Sequence, residues 1–473
     1  MIAGGGSLPG SNQVSIEQDL GLAEAVFSGS PGLLLFAGGP GTRTVQVQRE
    51  AAEPGELSAE LSGKLSGKLS GELSADPSAE SPGDPLALAL ADLFAPRAGR
   101  GAHYRKTTLP ASGEATAASI LGVLGPALEQ PAEQPFVLFI AGHGEIGQSA
   151  RDNYIALWGG SRLGVRELAE VVDGGVRPLV LVLTTCFSGG FAELAFAAAD
   201  PEQGAAMTPR CGLFSSTWDL EASGCDPNPD RSAQEGYGLH FLAALRGQDR
   251  HGRALAKEVL DLDGDGDISL LEAHARARIT AMGIGVPTTT SERWLREVAP
   301  ATGQSVDVLL PEENAVIRAL STELGLDPSE PEVAVSELAQ REKRIDERKA
   351  SLWAAQQAED RAYGEAAAAL LGRWPVLDDP WHPDFAAMYS GARLEIAEHL
   401  RTSPSYRAYL NARAEAGRVQ VEISDLRHEA ARYERLARAL ETRRLAGRLA
   451  RRGGPGWAHY ERLLACERAL PPG

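Results

Sequence analysis

The chain has 473 residues, of which 43% are hydrophobic and 23% charged, enough for two or three domains with cores of their own. Its net charge of −18 excludes a protein that binds nucleic acid or anionic membranes over its whole surface, because phosphate requires clustered positive charge. The composition therefore predicts a soluble globular protein without a nucleic-acid partner, in which any basic region is local.

The four cysteines are few and irregularly spaced, and no pair of them has CxxC spacing. This pattern predicts neither a disulfide framework nor a zinc site, and it leaves at least one thiol free for chemistry. The first 20 residues have no basic segment followed by an apolar core, and no 18-residue apolar stretch occurs elsewhere. We expect residues 1–30 to form an N-terminal segment of a cytoplasmic protein that has no transmembrane segment.

A short apolar run at 32–39 predicts a first buried strand, and a low-complexity segment follows it. Residues 56–75 repeat a four-residue unit of a charged residue, leucine, serine and glycine or alanine. A period of four drifts around a helix, and each glycine weakens a helix by about 1 kcal/mol relative to alanine. We therefore predict a flexible surface loop over 52–84.

Regular patterning continues with strands that alternate with helices. The predicted elements are a helix at 114–128, a strand at 136–144, a short apolar segment at 154–159, a helix at 163–172, a strand at 177–186 and an apolar run at 211–218. Continuously apolar strands between helices are typical of a parallel sheet covered on both faces. The predicted fold class is α/β, with a mostly parallel sheet flanked by helices and a ligand site at the carboxyl ends of the strands.

His143 and Cys186 each follow one of these buried strands, at a glycine-containing turn. We expect both side chains to reach a common cleft, where the imidazole takes the proton of the thiol and the thiolate attacks a carbonyl carbon. The backbone N–H groups of Gly144 and Cys186 are the predicted oxyanion donors. The alternative interpretation is a buried structural thiol and an unrelated loop histidine.

At these residues the sequence resembles the caspase, metacaspase and legumain clan of cysteine peptidases. The resemblance rests on FIAGHG, which contains His143, and on LTTCFSGG, which contains Cys186, and it covers about half of the chain. It implies a caspase-like peptidase domain over 31–255, with His143 as general base and Cys186 as nucleophile. Thr184 and Thr185 depart from the residues that caspases and metacaspases carry before the cysteine, so no specificity is transferred from that position.

The segment after the third strand is rich in acids, among them Asp219 and Glu221. It resembles the part of the clan that lines the specificity pocket, and an acidic wall favours a substrate with arginine or lysine before the scissile bond. A solvated acidic loop is the alternative. Basic specificity also suggests self-cleavage at Lys64 or Lys68, since flexible loops are where proteolytic nicking concentrates, although an inert spacer remains open.

Residues 261–272, DLDGDGDISLLE, match the twelve-residue EF-hand calcium loop within a segment that we place at 256–310. The flanks, RALAKEVL and LLEAHARARITAM, are predicted to be helical. We expect Ca²⁺ as the cofactor, without an organic one, and a calcium effect on the sheet edge or the pocket; an acidic turn that binds nothing is the alternative. The expected ligands are Asp261, Asp263, Asp265, Asp267 through its carbonyl, Ser269 and Glu272.

Residues 286–296, VPTTTSERWLR, are distinctive and fit either a substrate-facing loop or the start of a helix. Residues 311–473 have apolar residues at helical and heptad spacing, which predicts a helical or coiled-coil C-terminal domain with a proline-rich turn at 374–385. Residues 427–452 contain nine arginines and three glutamates. This basic face either docks on the acidic catalytic domain, a protein partner or a membrane surface, or is simply solvated.

The sequence therefore predicts a caspase-like cysteine endopeptidase that cleaves protein substrates, with calcium linkage and a helical region that regulates or recruits. The competing hypothesis is a catalytically silent caspase-like scaffold that binds proteins in a calcium-dependent manner. A third hypothesis is a thiol-dependent acyl hydrolase that acts on small esters or amides.

Overall fold

A computed structural model of the chain describes residues 1–27, 32–48, 85–94 and 102–471. The chain divides into two compact units, one formed by 1–48, 102–342 and 427–473 and the other by 49–101 and 343–426. The predicted loop at 52–84, including Lys64 and Lys68, lies outside the described residues.

The first unit contains every strand of the described chain. These strands are β1 Ile2–Gly5, β2 Leu34–Phe36, β3 Arg43–Gln48, β4 Ala102–Lys106, β5 Phe136–Glu145, β6 Tyr154–Ala156, β7 Arg162–Gly164, β8 Leu179–Leu183, β9 Arg210–Phe214 and β10 Thr288–Thr289. The α-helices of the described residues are α1 Val14–Val26, α2 Pro85–Phe94, α3 Ala117–Glu129, α4 Val165–Asp173, α5 Tyr237–Leu245, α6 Leu270–Thr280, α7 Thr290–Val298, α8 Pro311–Leu324, α9 Pro331–Leu371, α10 Phe385–Thr402, α11 Pro404–Arg452 and α12 Gly454–Glu467.

The main sheet has the strand order β10-β9-β8-β5-β1-β2, and its contacts are parallel except where β10 meets β9. Strands β6 and β7 extend the sheet beside the end of β5, while β3 and β4 form a separate antiparallel pair. This architecture confirms the predicted α/β class, a mostly parallel sheet with flanking helices.

The central strands are continuously apolar because their side chains pack into hydrophobic clusters on both faces of the sheet. All five residues of β8 are buried, and alternate side chains point to opposite faces of a strand. Val180 and Val182 join the core cluster that contains Leu20 of α1 and Phe241 of α5. The intervening leucines join the cluster on the other face, with residues of α3 and α4.

The first strand of the sheet comes from the very start of the chain, where the sequence analysis placed only an N-terminal segment. Ile2 of β1 pairs with Phe139 of β5 on one side and with Leu34 of β2 on the other. A four-residue strand, IAGG, carries too few apolar residues to be recognised by its periodicity.

Cys211 of β9 and Cys466 of α12 form a disulfide, which the cysteine spacing did not indicate. The two cysteines are 255 residues apart, and only the packing of α12 against the edge of the sheet brings them together. Irregular spacing along the sequence carries no information about such a pair. Cys186 and Cys225 are free.

The unexplained segment at 286–296 fastens α12 to the same edge of the sheet. Thr288 and Thr289 form β10, and the Thr289 side chain caps the N-terminus of α7. The hydroxyl groups of Thr290 and Ser291 donate to the buried carboxyl group of Glu467 at 2.6 Å. The threonines and serine therefore start a helix, which is one of the two predicted roles.

The second unit is helical where it is described, as predicted for the C-terminal region. Leu86 and Leu90 of α2 pack in one cluster with Trp374, Ile396 and Tyr409. The predicted proline-rich turn lies between α9 and α10. Helices α9 and α11 each contribute residues to both compact units.

Among the described helices, none combines the length and apolar character needed to cross a membrane.

Candidate functional site

The pairing of β5 with β8 brings the two predicted catalytic residues to the same edge of the sheet. Ile140 is the register partner of Leu183, and the Thr184 N–H donates to the Ile140 carbonyl at 3.0 Å. His143 and Cys186 each lie three residues beyond this pair. Since the strands are parallel, both residues lie at the carboxyl end of the sheet.

His143 lies inside strand β5, and not in a turn as the sequence suggested. Beyond the main sheet, β5 continues and pairs with β6, where His143 is opposite Ala156. Its Nε2 is 2.8 Å from the Ser11 carbonyl oxygen and 3.0 Å from Gln13 Oε1. Because both partners accept hydrogen bonds, Nε2 carries the hydrogen and Nδ1 keeps the lone pair that a general base requires.

The Cys186 sulfur faces the backbone of the segment that follows β9. Its Sγ accepts from the Ala222 N–H at 3.3 Å and donates to the Ala222 carbonyl at 3.4 Å. Burial raises the pKa of Cys186, and the charges of Glu221 and Glu145 raise it further, against the N–H groups of Ala222 and of Cys186 itself. The resting group is therefore a thiol, which needs a base before it can act as a nucleophile.

Glycine is required at two positions close to His143 and Cys186 in the chain. A Cβ on Gly144 would lie 1.9 Å from the Cys186 carbonyl oxygen, and a Cβ on Gly189 would lie 2.7 Å from the Ser216 carbonyl oxygen. Phe187, directly after the cysteine, has a left-handed backbone with φ of 55°. The backbone segments around His143 and Cys186 are thus held closer together than any side chain would allow.

The carboxylates of the two predicted specificity residues have different partners. Glu221 raises the pKa of Cys186 and forms an ion pair with Arg427 of α11 at 3.2 Å. Asp219 accepts from the Thr217 hydroxyl at 2.8 Å. Glu221 is therefore close to the thiol and already has a cationic partner.

The sequence analysis did not single out Gln13 or Ala222, although both contact a predicted catalytic side chain. Their contacts depend on backbone approach between segments far apart in sequence, which leaves no local signal. A second free thiol also lies nearby, because Cys225 Sγ is 3.8 Å from the carbonyl oxygen of Gly142, the residue before His143. Any thiol reagent must therefore be mapped to one cysteine or the other.

The predicted calcium loop brings three of its carboxylates together. Asp261, Asp263 and Asp265 each place an oxygen within 4.8 Å of the others. Glu272 instead accepts from the backbone N–H groups of Leu262 and Ser269. The three clustered carboxylates are hard oxygen donors of the kind that calcium prefers, and the donor set fits that ion.

The helix predicted before the calcium loop is wrong, because residues 253–260 contain only a short 3-10 turn at Lys257–Val259. The helix predicted after the loop is present as α6, which Ser269 caps through the N–H of Glu272. The loop thus has one helical flank. Leu260 is nevertheless buried in the core cluster that contains Leu20 and Phe241, and Leu255 packs against that cluster.

Part of the basic segment of α11 is buried. Arg435 is 1% exposed and donates to the carbonyl oxygens of Gly283 and Gly285 at 2.6 and 2.8 Å. Arg438 forms an ion pair with buried Glu292 at 2.6 Å. Of the predicted alternatives, docking onto the domain that carries His143 and Cys186 describes these two arginines.

No protein-family model matches this chain, and no curated protein does.

Proposed function

We propose that the protein is a caspase-like cysteine endopeptidase with His143 as general base and Cys186 as nucleophile. The observation that carries the proposal is the register of β5 and β8, which places both residues three positions beyond the Ile140 and Leu183 pair. The hydrogen bonds of His143 Nε2 support it, because they leave Nδ1 unprotonated. The parallel sheet with helices on both faces is compatible with the caspase-like fold.

In the proposed reaction, the His143 imidazole removes the Cys186 proton as Sγ attacks the peptide carbonyl carbon. The oxyanion is held by the backbone N–H groups of Gly144 and Cys186. The imidazolium then protonates the leaving amine, and the acyl group stays on sulfur. Water, deprotonated by the same imidazole, releases the acid and restores the thiol.

The proposed preference is for arginine or lysine before the scissile bond. Glu221 supports it, because its carboxylate lies close enough to Cys186 to raise the pKa of the thiol. A basic substrate side chain would take the place of Arg427 as the partner of Glu221. Self-cleavage at Lys64 or Lys68 remains part of this proposal, and N-terminal mapping of the purified active protein tests it.

We also propose calcium linkage through the three clustered aspartates. Bound calcium would neutralise their mutual repulsion and order the loop. Helix α6 starts at this loop, and the carbonyl of Ala281, directly after the helix, accepts from Arg435. Three residues later the Ile284 N–H donates to the Ser223 hydroxyl beside Ala222. This chain of contacts connects the calcium loop with the segment that faces the nucleophile.

The test is hydrolysis of fluorogenic peptides that end in Arg, Lys, Asn or Asp, in calcium and in chelator. Cleavage after Arg or Lys that is lost in Cys186→Ala and His143→Ala, but kept in Cys225→Ser, supports the proposal. Cys225 is the matched control, because it is the other free thiol near the site. Equal rates in calcium and chelator would remove the calcium linkage alone.

Two other outcomes identify the competing functions. Hydrolysis of small esters or amides that depends on Cys186, without peptide cleavage, would indicate a thiol-dependent acyl hydrolase. Silence on every substrate, together with calcium-dependent capture of a protein partner that survives Cys186→Ala, would indicate the scaffold. We also propose that the helical C-terminal region binds a protein partner.

A further inference from the structure

Asn153 lies in the interior next to the candidate site and has no role in the reaction proposed above. It is 1% exposed and directly precedes β6. A buried primary amide must find partners for one acceptor and two donors, so its contacts are informative about what it holds together.

The three side-chain contacts of Asn153 reach three separate segments of the site. Its Oδ1 accepts from the Gly147 N–H at 2.9 Å, just beyond the end of the strand that carries His143. Its Nδ2 donates to the Phe187 carbonyl at 2.9 Å, directly after Cys186. The same Nδ2 donates to the Trp218 carbonyl at 2.6 Å, in the segment that leads to Ala222.

These contacts also fix the orientation of the amide, because an N–H needs the oxygen and two carbonyls need the nitrogen. The Phe187 peptide is held from both sides, since its N–H donates to the Leu220 carbonyl at 2.9 Å. Phe187 has the left-handed backbone that turns the chain after the nucleophile. The packing around the amide is close, because a Cβ on Gly190 would lie 2.8 Å from Asn153 Nδ2.

We propose that Asn153 is the positioning residue of the proposed peptidase. It sets the nucleophile turn, the end of the histidine strand and the segment behind Ala222 at fixed distances from one another. It touches neither substrate nor sulfur and acts through the backbone of Phe187, Gly147 and Trp218. The kinetic part of this inference rests on the proposed function, whereas the structural part does not.

Asn153→Asp is the sharpest variant, because it keeps the shape of the side chain and replaces the donor with an oxygen. At neutral pH a carboxylate there faces the carbonyl oxygens of Phe187 and Trp218 and repels both. At lower pH the protonated carboxyl group can donate to one of them again. Asn153→Ala removes all three contacts at every pH, and Leu124→Ala in the core on α3 is the control for a general loss of stability.

The experiment measures kcat and KM on the cleaved peptide, and also the rate of Cys186 alkylation by iodoacetamide from pH 5.5 to 8.5, mapped by mass spectrometry. We expect kcat to fall about 10- to 100-fold in Asn153→Ala, with a smaller change in KM. We expect the kcat of Asn153→Asp, expressed relative to the wild-type kcat at the same pH, to rise about tenfold as the pH falls. The pH profile of Cys186 alkylation should move in both variants and stay in place in Leu124→Ala.

The outcomes separate the two proposals. If the wild type cleaves no peptide but the alkylation profile still moves in the Asn153 variants, the proposed function fails and the positioning role stands. If both Asn153 variants match Leu124→Ala in melting temperature, kcat and alkylation profile, the positioning role is refuted. Should Asn153→Ala fail to fold, the pH recovery of Asn153→Asp decides the question alone.

Discussion

Acid should destabilise the first unit through His274, and replacing this residue with glutamine should remove that effect. His274 lies on α6, is fully buried, and places Nδ1 2.8 Å from the Tyr237 hydroxyl. Burial and the nearby Arg278 lower the pKa of His274 to about 3, from an ordinary value of 6.5. The unfolded chain therefore takes up a proton at a pH where the folded protein does not, and stability falls as the pH drops below 6.5.

The size of the effect follows from the two pKa values. Between pH 7.5 and pH 5.0, preferential protonation of the unfolded chain costs about 2 kcal/mol, and the full difference of pKa corresponds to roughly 5 kcal/mol. Glu467 opposes this loss, because burial raises its pKa to about 7 from an ordinary value of 4.5. The stabilising contribution of Glu467 is fully present below pH 4.5 and is lost as the pH rises through 7. The pH dependence of wild-type stability therefore shows only the sum of the His274 and Glu467 contributions.

The difference between His274→Gln and the wild type isolates the histidine. We expect His274→Gln to be less stable than the wild type at pH 7.5. The gap in free energy of unfolding between the two proteins should be about 2 kcal/mol smaller at pH 5.0 than at pH 7.5. Urea unfolding followed by tryptophan fluorescence at four pH values measures this gap. A gap that stays constant, or one that narrows equally for exposed His251→Gln, would refute the argument.

Three further predictions concern the site and its supports. Gly144→Ala should lower the rate of peptide cleavage at least 100-fold, since its methyl group would lie 1.9 Å from the Cys186 carbonyl oxygen, and a wild-type rate would contradict the close approach. Cys466→Ser should lower the free energy of unfolding by about 2–4 kcal/mol, measured in urea without reductant, whereas reductant should erase its difference from the wild type. Asp263→Asn should weaken calcium binding at least tenfold in calorimetry and raise the melting temperature in chelator, and unchanged affinity would show that the three clustered carboxylates do not bind the ion.

The sequence was sufficient for the parts of the fold that are built from continuous apolar runs. Strands β5, β8 and β9 bury both faces and therefore stand out in the chain. Placing His143 and Cys186 at one edge required only that these strands be parallel neighbours, which their alternation with helices predicted. The common position of the two residues at one edge of the sheet was thus predictable from the sequence.

The missed features depend on contacts between segments that are far apart in the chain. The Cys211–Cys466 disulfide spans 255 residues, and the hydrogen bonds from Thr290 and Ser291 to Glu467 span 177 and 176 residues. Neither has a local pattern, because a disulfide or a buried carboxyl group is decided by which surfaces pack together. The predicted calcium loop differs, since the spacing of its acidic residues is a local pattern. The helix predicted before it is replaced by a 3-10 turn at Lys257–Val259, although Leu260 is buried in the core.

Arg435 shows why the charge of a segment is a poor guide to its environment. In the sequence it is one of nine arginines on a helix, a pattern that usually indicates a solvated face. Its guanidinium instead donates to backbone carbonyl groups at the end of α6 and in the loop before β10. The acceptors are the carbonyl oxygens of Arg278, Ala281, Gly283 and Gly285. Burial lowers its pKa to about 9, which still leaves it charged at neutral pH. A loop rich in glycine exposes carbonyls that no side chain of its own can satisfy, and only a long planar donor from another element can reach them. Helix α11 therefore completes the backbone hydrogen bonding of the loop that contains Ile284. The Ile284 N–H donates to Ser223, which is next to Ala222, the residue that faces Cys186.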